Sequence, residues 1–108
     1  MDIKGKKVLV AGCGVSGVAA AQLLYKVGAK PVMFDTNTEL KKEDVLARFS
    51  EACEVDFITG KADNGLMEQL SLVVISPGIP VDADFVEEFR KNNLPIWGEI
   101  ELAYQFAK

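Results

Sequence analysis

The run Gly12-Cys13-Gly14-Val15-Ser16-Gly17 is the stretch of this 108-residue chain best suited to holding a ligand. Its Gly-x-Gly-x-x-Gly spacing removes three Cβ atoms from one turn, so the backbone can bend sharply and come close to a bound group. A helix opening at such a turn aims its first N–H groups and its dipole at an anion. Asp35, 18 positions after Gly17, stands where a dinucleotide fingerprint places a carboxylate on ribose hydroxyls. Plainer roles exist for each: the glycines as a tight corner, Ser16 as a helix-start cap, Asp35 as a solvated loop carboxylate. Ser76-Pro77-Gly78-Ile79-Pro80 is a second constellation, in which two prolines stiffen the chain around a glycine; it suits a pocket wall as well as a rigid turn. In Gly98-Glu99-Ile100-Glu101-Leu102, acids in a first helical turn are accounted for by the dipole alone. Cys13, at the start of a helix, has the setting in which a thiol pKa can fall, but a small buried filler explains it without chemistry.

Other chemistries are excluded by composition. There is no His and there are two Cys, so a Ser-His-Asp triad, a His base and a zinc site are absent; the chain is expected to hold no catalytic residue and no metal ligand. Twelve Lys and Arg against 16 Asp and Glu give a net charge of −4, which argues against nucleic acid and anionic membrane as partners. A single pyrophosphate held by backbone amides remains compatible with that charge. No apolar run approaches the roughly 20 residues of a membrane helix, and the basic start Met1 to Lys7 runs into a glycine turn, which is no signal peptide. A reducing, cytoplasmic setting is expected for this cysteine usage.

The elements that must position these residues follow from periodicity. Lys7–Ala11 reads as a strand, and Val15, Val18, Ala19, Leu23, Leu24 and Val27 mark a helix closed by Gly28. Lys30–Asp35 is a second strand and Thr36–Thr38 a loop. Helix is predicted over Leu40–Ala52, strand over Glu54–Thr59, loop over Gly60–Gly65, one helical turn over Leu66–Leu70, and a buried strand over Leu72–Ser76. A helix over Asp82–Asn93, a strand over Leu94–Trp97 and a closing helix over Gly98–Lys108 complete the chain. Five strands alternating with helices predict an α/β fold, one domain over residues 1–108 with a parallel sheet covered on both faces. The glycine turn and the Ser76 loop then meet at the carboxyl edge, near a reversal of strand order.

In their order and spacing, Gly12 to Gly17, Asp35-Thr36, Ser76 to Pro80 and Gly98 to Leu102 resemble the N-terminal domain of the Mur ligases over essentially the whole chain. The resemblance implies a Rossmann-like five-stranded unit that binds the UDP part of UDP-N-acetylmuramoyl-L-alanine. It implies that backbone around Gly14, Val15, Ser16 and Gly17 meets the pyrophosphate, that Asp35 and Thr36 contact the uridine, and that Ser76, Pro77, Gly78 and Ile79 line the opposite side. Some relatives carry a basic residue after the Asp-Thr pair; here it is Asn37. The reaction implied is ATP-dependent amide-bond formation with D-glutamate in peptidoglycan synthesis, and it needs a P-loop and magnesium. No G-x-x-x-x-G-K-[ST] occurs, since Gly5-Lys6 and Gly60-Lys61 are followed by Lys7 and Ala62. The resemblance therefore implies an isolated, inert, monomeric substrate-binding fragment of a three-domain ligase, with no cofactor of its own; ATP, Mg and the central and C-terminal domains lie outside it. An NAD-binding Rossmann domain, with Asp35 on the ribose, is the alternative.

Overall fold

The computed structural model describes residues 3–50, 53–80 and 82–106. Among the described residues ten elements follow one another: β1 (Lys7–Ala11), α1 (Val15–Lys26), β2 (Lys30–Asp35), α2 (Lys42–Leu46), β3 (Asp56–Thr59), α3 (Asn64–Gln69), β4 (Leu70–Ile75), α4 (Asp84–Lys91), β5 (Ile96–Gly98) and α5 (Glu99–Phe106). The strands form one sheet in the order β3-β2-β1-β4-β5. Every pairing is parallel, so the expected Rossmann-like α/β architecture is present.

Why the sheet is central follows from its residues. β1 and β4 carry almost unbroken apolar runs, as strands covered on both faces must. Val8, Val10, Met33, Leu72 and Val74 point to one side, where they bury Val18, Ala21 and Leu24 of α1, Val45 of α2 and Leu102 of α5. Leu9, Ala11, Val32, Phe34, Val73 and Ile75 point to the other, against Met67 of α3 and Val86 and Phe89 of α4. Three helices thus cover one face and two the other. Strand order reverses between β1 and β4: the chain leaves β1 toward the α1 face and leaves β4 toward the α4 face, which opens a crevice at their carboxyl ends.

Helix α1 ends as its sequence requires. Gly28 takes φ +93 and donates to the Tyr25 carbonyl at 3.1 Å, while Ala29 N–H donates to Leu24 at 3.0 Å. This paired closure needs a left-handed residue at the first position beyond the C-cap, which glycine adopts without a Cβ penalty.

The second helix departs from expectation. Of the predicted Leu40–Ala52 span, only Lys42–Leu46 is α-helical, and its last two positions, 51–52, lie outside the described residues. Arg48 N–H donates to Val45 O at 3.0 Å and Phe49 N–H to Leu46 O at 3.1 Å, so the chain tightens after α2. Tertiary ties then take over: the Gln22 side chain accepts Ser50 N–H at 2.7 Å, and Arg48 reaches the glycine turn. Helix α3 begins inside the predicted Gly60–Gly65 loop because Asp63 caps it, its Oδ1 accepting Leu66 N–H at 2.7 Å. Leu70 belongs to β4, paired with Lys7, and Ser76 falls just beyond that strand. Leu94 lies ahead of β5: Asn93 turns with φ +59, and Leu94 N–H closes α4 by donating to Phe89 O at 3.2 Å. α4 spans Asp84–Lys91 within the predicted Asp82–Asn93. Of the predicted closing helix, Glu99–Phe106 is helical, Gly98 belongs to β5, and positions 107–108 lie outside the described residues.

Candidate functional site

The carboxyl edge of β1 is locked before the glycine turn begins. Gly12 N–H donates to Phe34 O at 2.7 Å, extending the β1–β2 ladder by one bond, and Ser76 N–H donates to Ala11 O at 3.2 Å, extending the β1–β4 ladder. Ser76 Oγ donates to the same carbonyl at 3.1 Å. Gly12 then turns with φ +100, and α1 starts with Gly14 as its N-cap.

The glycines of the motif do different jobs. A Cβ on Gly17 would stand 1.8 Å from the Gly12 carbonyl oxygen, so packing requires that glycine; Gly12 is required by its φ of +100, with Ser76 Oγ 2.8 Å from an added Cβ. Gly14 is not: its φ of −76 suits any residue, and an added Cβ meets nothing within 4 Å. Gly78 is likewise open. It sits in a turn closed by Ile79 N–H donating to Ser76 O at 3.0 Å, with Pro77 supplying the fixed φ. Two exposed glycines that the fold does not need thus follow the carboxyl ends of β1 and β4.

The start of α1 is chemically bare. The first intrahelical bond runs from Val18 N–H to Gly14 O at 3.0 Å, so the amides of Val15, Ser16 and Gly17 precede the first internal acceptor. No side chain caps this end and no acid lies in its first turn. Ser16 is the second helical residue, not the N-cap, so its suggested capping role does not hold. By contrast, α2, α4 and α5 begin with acids and α3 is capped by Asp63. Val15 is 87% exposed at the lip of the same turn. An anion placed here would meet the positive end of a 12-residue helix with no carboxylate in that first turn.

Asp35 ends β2 and is not simply solvated. Its Oδ2 accepts Cys13 N–H at 3.2 Å and its Oδ1 accepts Asn37 N–H at 3.0 Å, so one carboxylate orders both the glycine turn and the following loop. Lone pairs remain on both oxygens for a further donor. Asp35, Thr36 and Ile79 share a cavity of about 100 Å³ with Gly12, Phe34 and Phe85. Ser76, Pro77 and Gly78 do not line it; Ser76 is half-buried beside Gly12, and Pro77 and Gly78 are exposed. A larger cavity of about 350 Å³ shares Phe34 and Phe85 with it. A further cavity, about 630 Å³, is at the opposite edge of the sheet, where Lys7, Lys30 and Lys42 mix with Glu54 and Asp56, away from the glycine turn.

Two features escaped the sequence. Arg48 donates from Nη1 to the Cys13 carbonyl at 2.7 Å, tying the α2–β3 connection to the glycine turn. The other is the aromatic floor: Phe34 lies 5.5 Å from Phe85 and 6.2 Å from Phe89 between ring centroids. Phe85 and Phe89 have the apolar spacing of a helical face within Asp82–Asn93, but no local pattern pairs them with Phe34, and nothing local marks Arg48.

Cys13 is a buried filler. Burial, reinforced by the Asp35 carboxylate and opposed by the Arg48 guanidinium, pushes its thiol from 9.0 up to about 11. In a Cys53→Ala background, thiol labelling of the folded protein at about pH 8 is therefore expected to be slower than in urea by at least about tenfold; comparable rates would place Cys13 at the surface. Because the folded-state value is raised, the unfolded chain releases its proton first, and this group's contribution to stability is lost as pH rises from 9.0 through about 11.

Among the described residues, no helix is long and apolar enough to cross a membrane. Comparison with solved structures supports the fold alone. Shikimate dehydrogenase from Aquifex aeolicus superposes with a TM-score of 0.62 at 13% identity, covering 94% of this chain and 45% of that one. N5-carboxyaminoimidazole synthetase from Staphylococcus aureus gives 0.56 at 18% identity, covering 88% and 25%. Sequence relatives are much nearer. UDP-N-acetylmuramoylalanine–D-glutamate ligase of Lachnoclostridium phytofermentans is 43% identical over 108 residues, and that of Lachnospira eligens is 42% identical. Each match covers 100% of this chain and 24% of the relative, so the chain spans about a quarter of the length of these curated ligases. The family model described as Mur ligase MurD-like, N-terminal domain, matches residues 6–98. With the glycine turn, Asp35 and the Ser76 loop assembled at one crevice, and with relatives matching from end to end, this chain belongs to the MurD-like N-terminal domain family of the Mur ligases.

Proposed function

We propose that residues 1–108 form a single substrate-binding domain that holds the UDP moiety of UDP-N-acetylmuramoyl-L-alanine during addition of D-glutamate in peptidoglycan synthesis. The observation that carries this reading is the bare N-terminus of α1, fronted by a glycine, Gly14, that packing does not require. Amides of Gly14, Val15, Ser16 and Gly17 bind the pyrophosphate. Asp35 and Thr36 take the uridine, and Ser76, Pro77, Gly78 and Ile79 close the other side. The mixed apolar and polar lining around Phe34, Ile79 and Asp35 suits a base with hydrogen-bonding edges.

The bond-forming chemistry belongs elsewhere in the ligase. The sequence has no P-loop, and among the described residues no three His, Cys, Asp or Glu side chains converge as a metal site. These residues do not fit ATP with magnesium, so both are assigned to the central and C-terminal domains of a cytoplasmic parent enzyme. The domain alone is expected to be monomeric and to bind without turnover.

Titration with UDP should move the amide resonances of Gly14 to Gly17 and of Asp35-Thr36. Gly14→Ala should alter stability by about 1 kcal/mol or less, the scale of an N-cap change, yet weaken UDP by about tenfold or more, because the new methyl stands where the ligand must approach. Undisturbed amides at millimolar UDP, or NADH binding more tightly than UDP, would overturn the assignment.

A further inference from the structure

Backbone amides alone leave an electrostatic problem at the glycine turn. The chain is acidic overall, with a net charge of −4, and the Asp35 carboxylate already touches Cys13 N–H at 3.2 Å. A diphosphate arriving at α1 brings further negative charge into the same few ångströms. The helix dipole supplies only about half an elementary charge in compensation. Asn37, next to the Asp35-Thr36 pair, is occupied with its own loop, where its Oδ1 accepts Glu39 N–H at 3.1 Å.

Arg48 is placed to supply the missing cation. Its Nη1 donates to Cys13 O at 2.7 Å, one residue before Gly14, so the guanidinium stands at the glycine turn on the carbonyl side of the Cys13–Gly14 peptide. A guanidinium has five N–H donors, and this contact uses one. Among the described residues no carboxylate lies within ion-pair distance of Arg48, whereas Arg90 is paired with Glu87. The residue is exposed on the α1 face, so its charge is open to solvent and to an incoming ligand. A planar fork with spare donors matches phosphate oxygens in a way that a point-charged ammonium does not.

We propose that Arg48 contacts the diphosphate at the glycine turn, making it a specificity-determining residue for the charged part of the ligand. The proposal rests on the nucleoside-diphosphate reading above. On binding, the guanidinium keeps the Cys13 carbonyl on one N–H and turns the rest of the fork toward the phosphate oxygens. Arg48 then acts twice, as a tether for the turn and as the charge that offsets Asp35.

Those two roles separate in Arg48→Gln, which keeps an N–H donor for Cys13 O and removes the charge. Uridine, UMP and UDP would be titrated into the 108-residue protein and the variant at low salt, with thermal unfolding recorded alongside. Expected is a loss of UDP affinity of about tenfold, the scale of one charge-assisted hydrogen bond. Uridine affinity should stay within about twofold, and the salt dependence of UDP binding should weaken. Arg48→Lys should recover part of the UDP preference, since it restores charge without the fork. An unchanged UDP-to-uridine ratio in Arg48→Gln, or an equal loss for both ligands, would reduce Arg48 to a tether and overturn the proposal while leaving the nucleotide site standing. Wild-type protein that prefers UDP no more than uridine would instead overturn the diphosphate reading itself, and this proposal with it.

Discussion

Gly17→Ala is expected to destabilise the protein by more than about 3 kcal/mol, at or beyond the usual range for overpacking. The added methyl would stand 1.8 Å from the Gly12 carbonyl oxygen and 2.8 Å from its carbon. Both atoms are backbone, and neither can rotate away. Gly12 is fixed on one side by its N–H to Phe34 O at 2.7 Å, and its neighbour Ala11 by two bonds from Ser76. Relief therefore requires α1 to lift from β1, which would expose Val18, Ala21 and Leu24 from the core. A domain of this length is stable by about 5–15 kcal/mol, so such a loss removes a large part of the total. It should lower Tm by about 15 °C or more. Thermal or urea unfolding of the variant checks this, and a midpoint equal to that of wild type would mean that α1 does not approach β1 as closely as described. Beside Gly14→Ala, which leaves the fold intact, the contrast separates two glycines that look equivalent in the motif.

That contrast also marks how far the residues alone could be read. The strand, turn and helix around Gly12 to Gly17 were legible because three local signals agree: an apolar run, a glycine turn and a 3-4 apolar spacing. Gly28 was legible for the same reason, as left-handed closure is a property of one residue and its immediate neighbours. The α2 region was not. Leu40, Val45, Leu46 and Phe49 fit a helical face, but only Val45 is buried on α2, while Gln22 and Arg48 pull the following chain into contacts that no periodicity encodes.

The candidate site divides along the same line. Asp35 and the Ser76 loop could be placed at the carboxyl edge from strand order alone, but their roles within the turn could not. That Asp35 binds both Cys13 N–H and Asn37 N–H, and that Ser76 clamps Ala11, are facts of distance between segments far apart in sequence. The difference between Gly14 and Gly17 is of that kind too: it depends on what lies beyond the missing Cβ. Sequence identifies a residue type, and the facing element decides whether that type serves packing or approach.

Phe34→Ala should cost about 3–5 kcal/mol, the range for deleting a buried phenyl ring, and lower Tm by about 15–30 °C. Phe34 is 1% exposed and is the one aromatic residue in the described sheet interior that faces α4. It meets Phe85 at 5.5 Å in a tilted arrangement and Phe89 at 6.2 Å edge-on, geometries in which aromatic pairs add to simple burial. Partial collapse is hindered because Phe34 is held on β2, a strand paired on both sides, with Met33 on the opposite core face. Phe34 also lines both the cavity of about 100 Å³ beside Asp35 and the adjoining one of about 350 Å³. Truncation is therefore expected to join them as well as to weaken the core. Phe34→Leu should retain most of the burial and cost about half as much or less. Because the Phe34 contact to Gly12 N–H is made by its carbonyl, the glycine turn should keep its place in that milder variant. UDP titration of Phe34→Leu then tests the aromatic floor itself: amide shifts at Gly14 to Gly17 should persist, while those at Asp35-Thr36 shrink. A Tm change below about 5 °C for Phe34→Ala would contradict the packing, since a ring this deeply enclosed cannot be deleted at so small a cost.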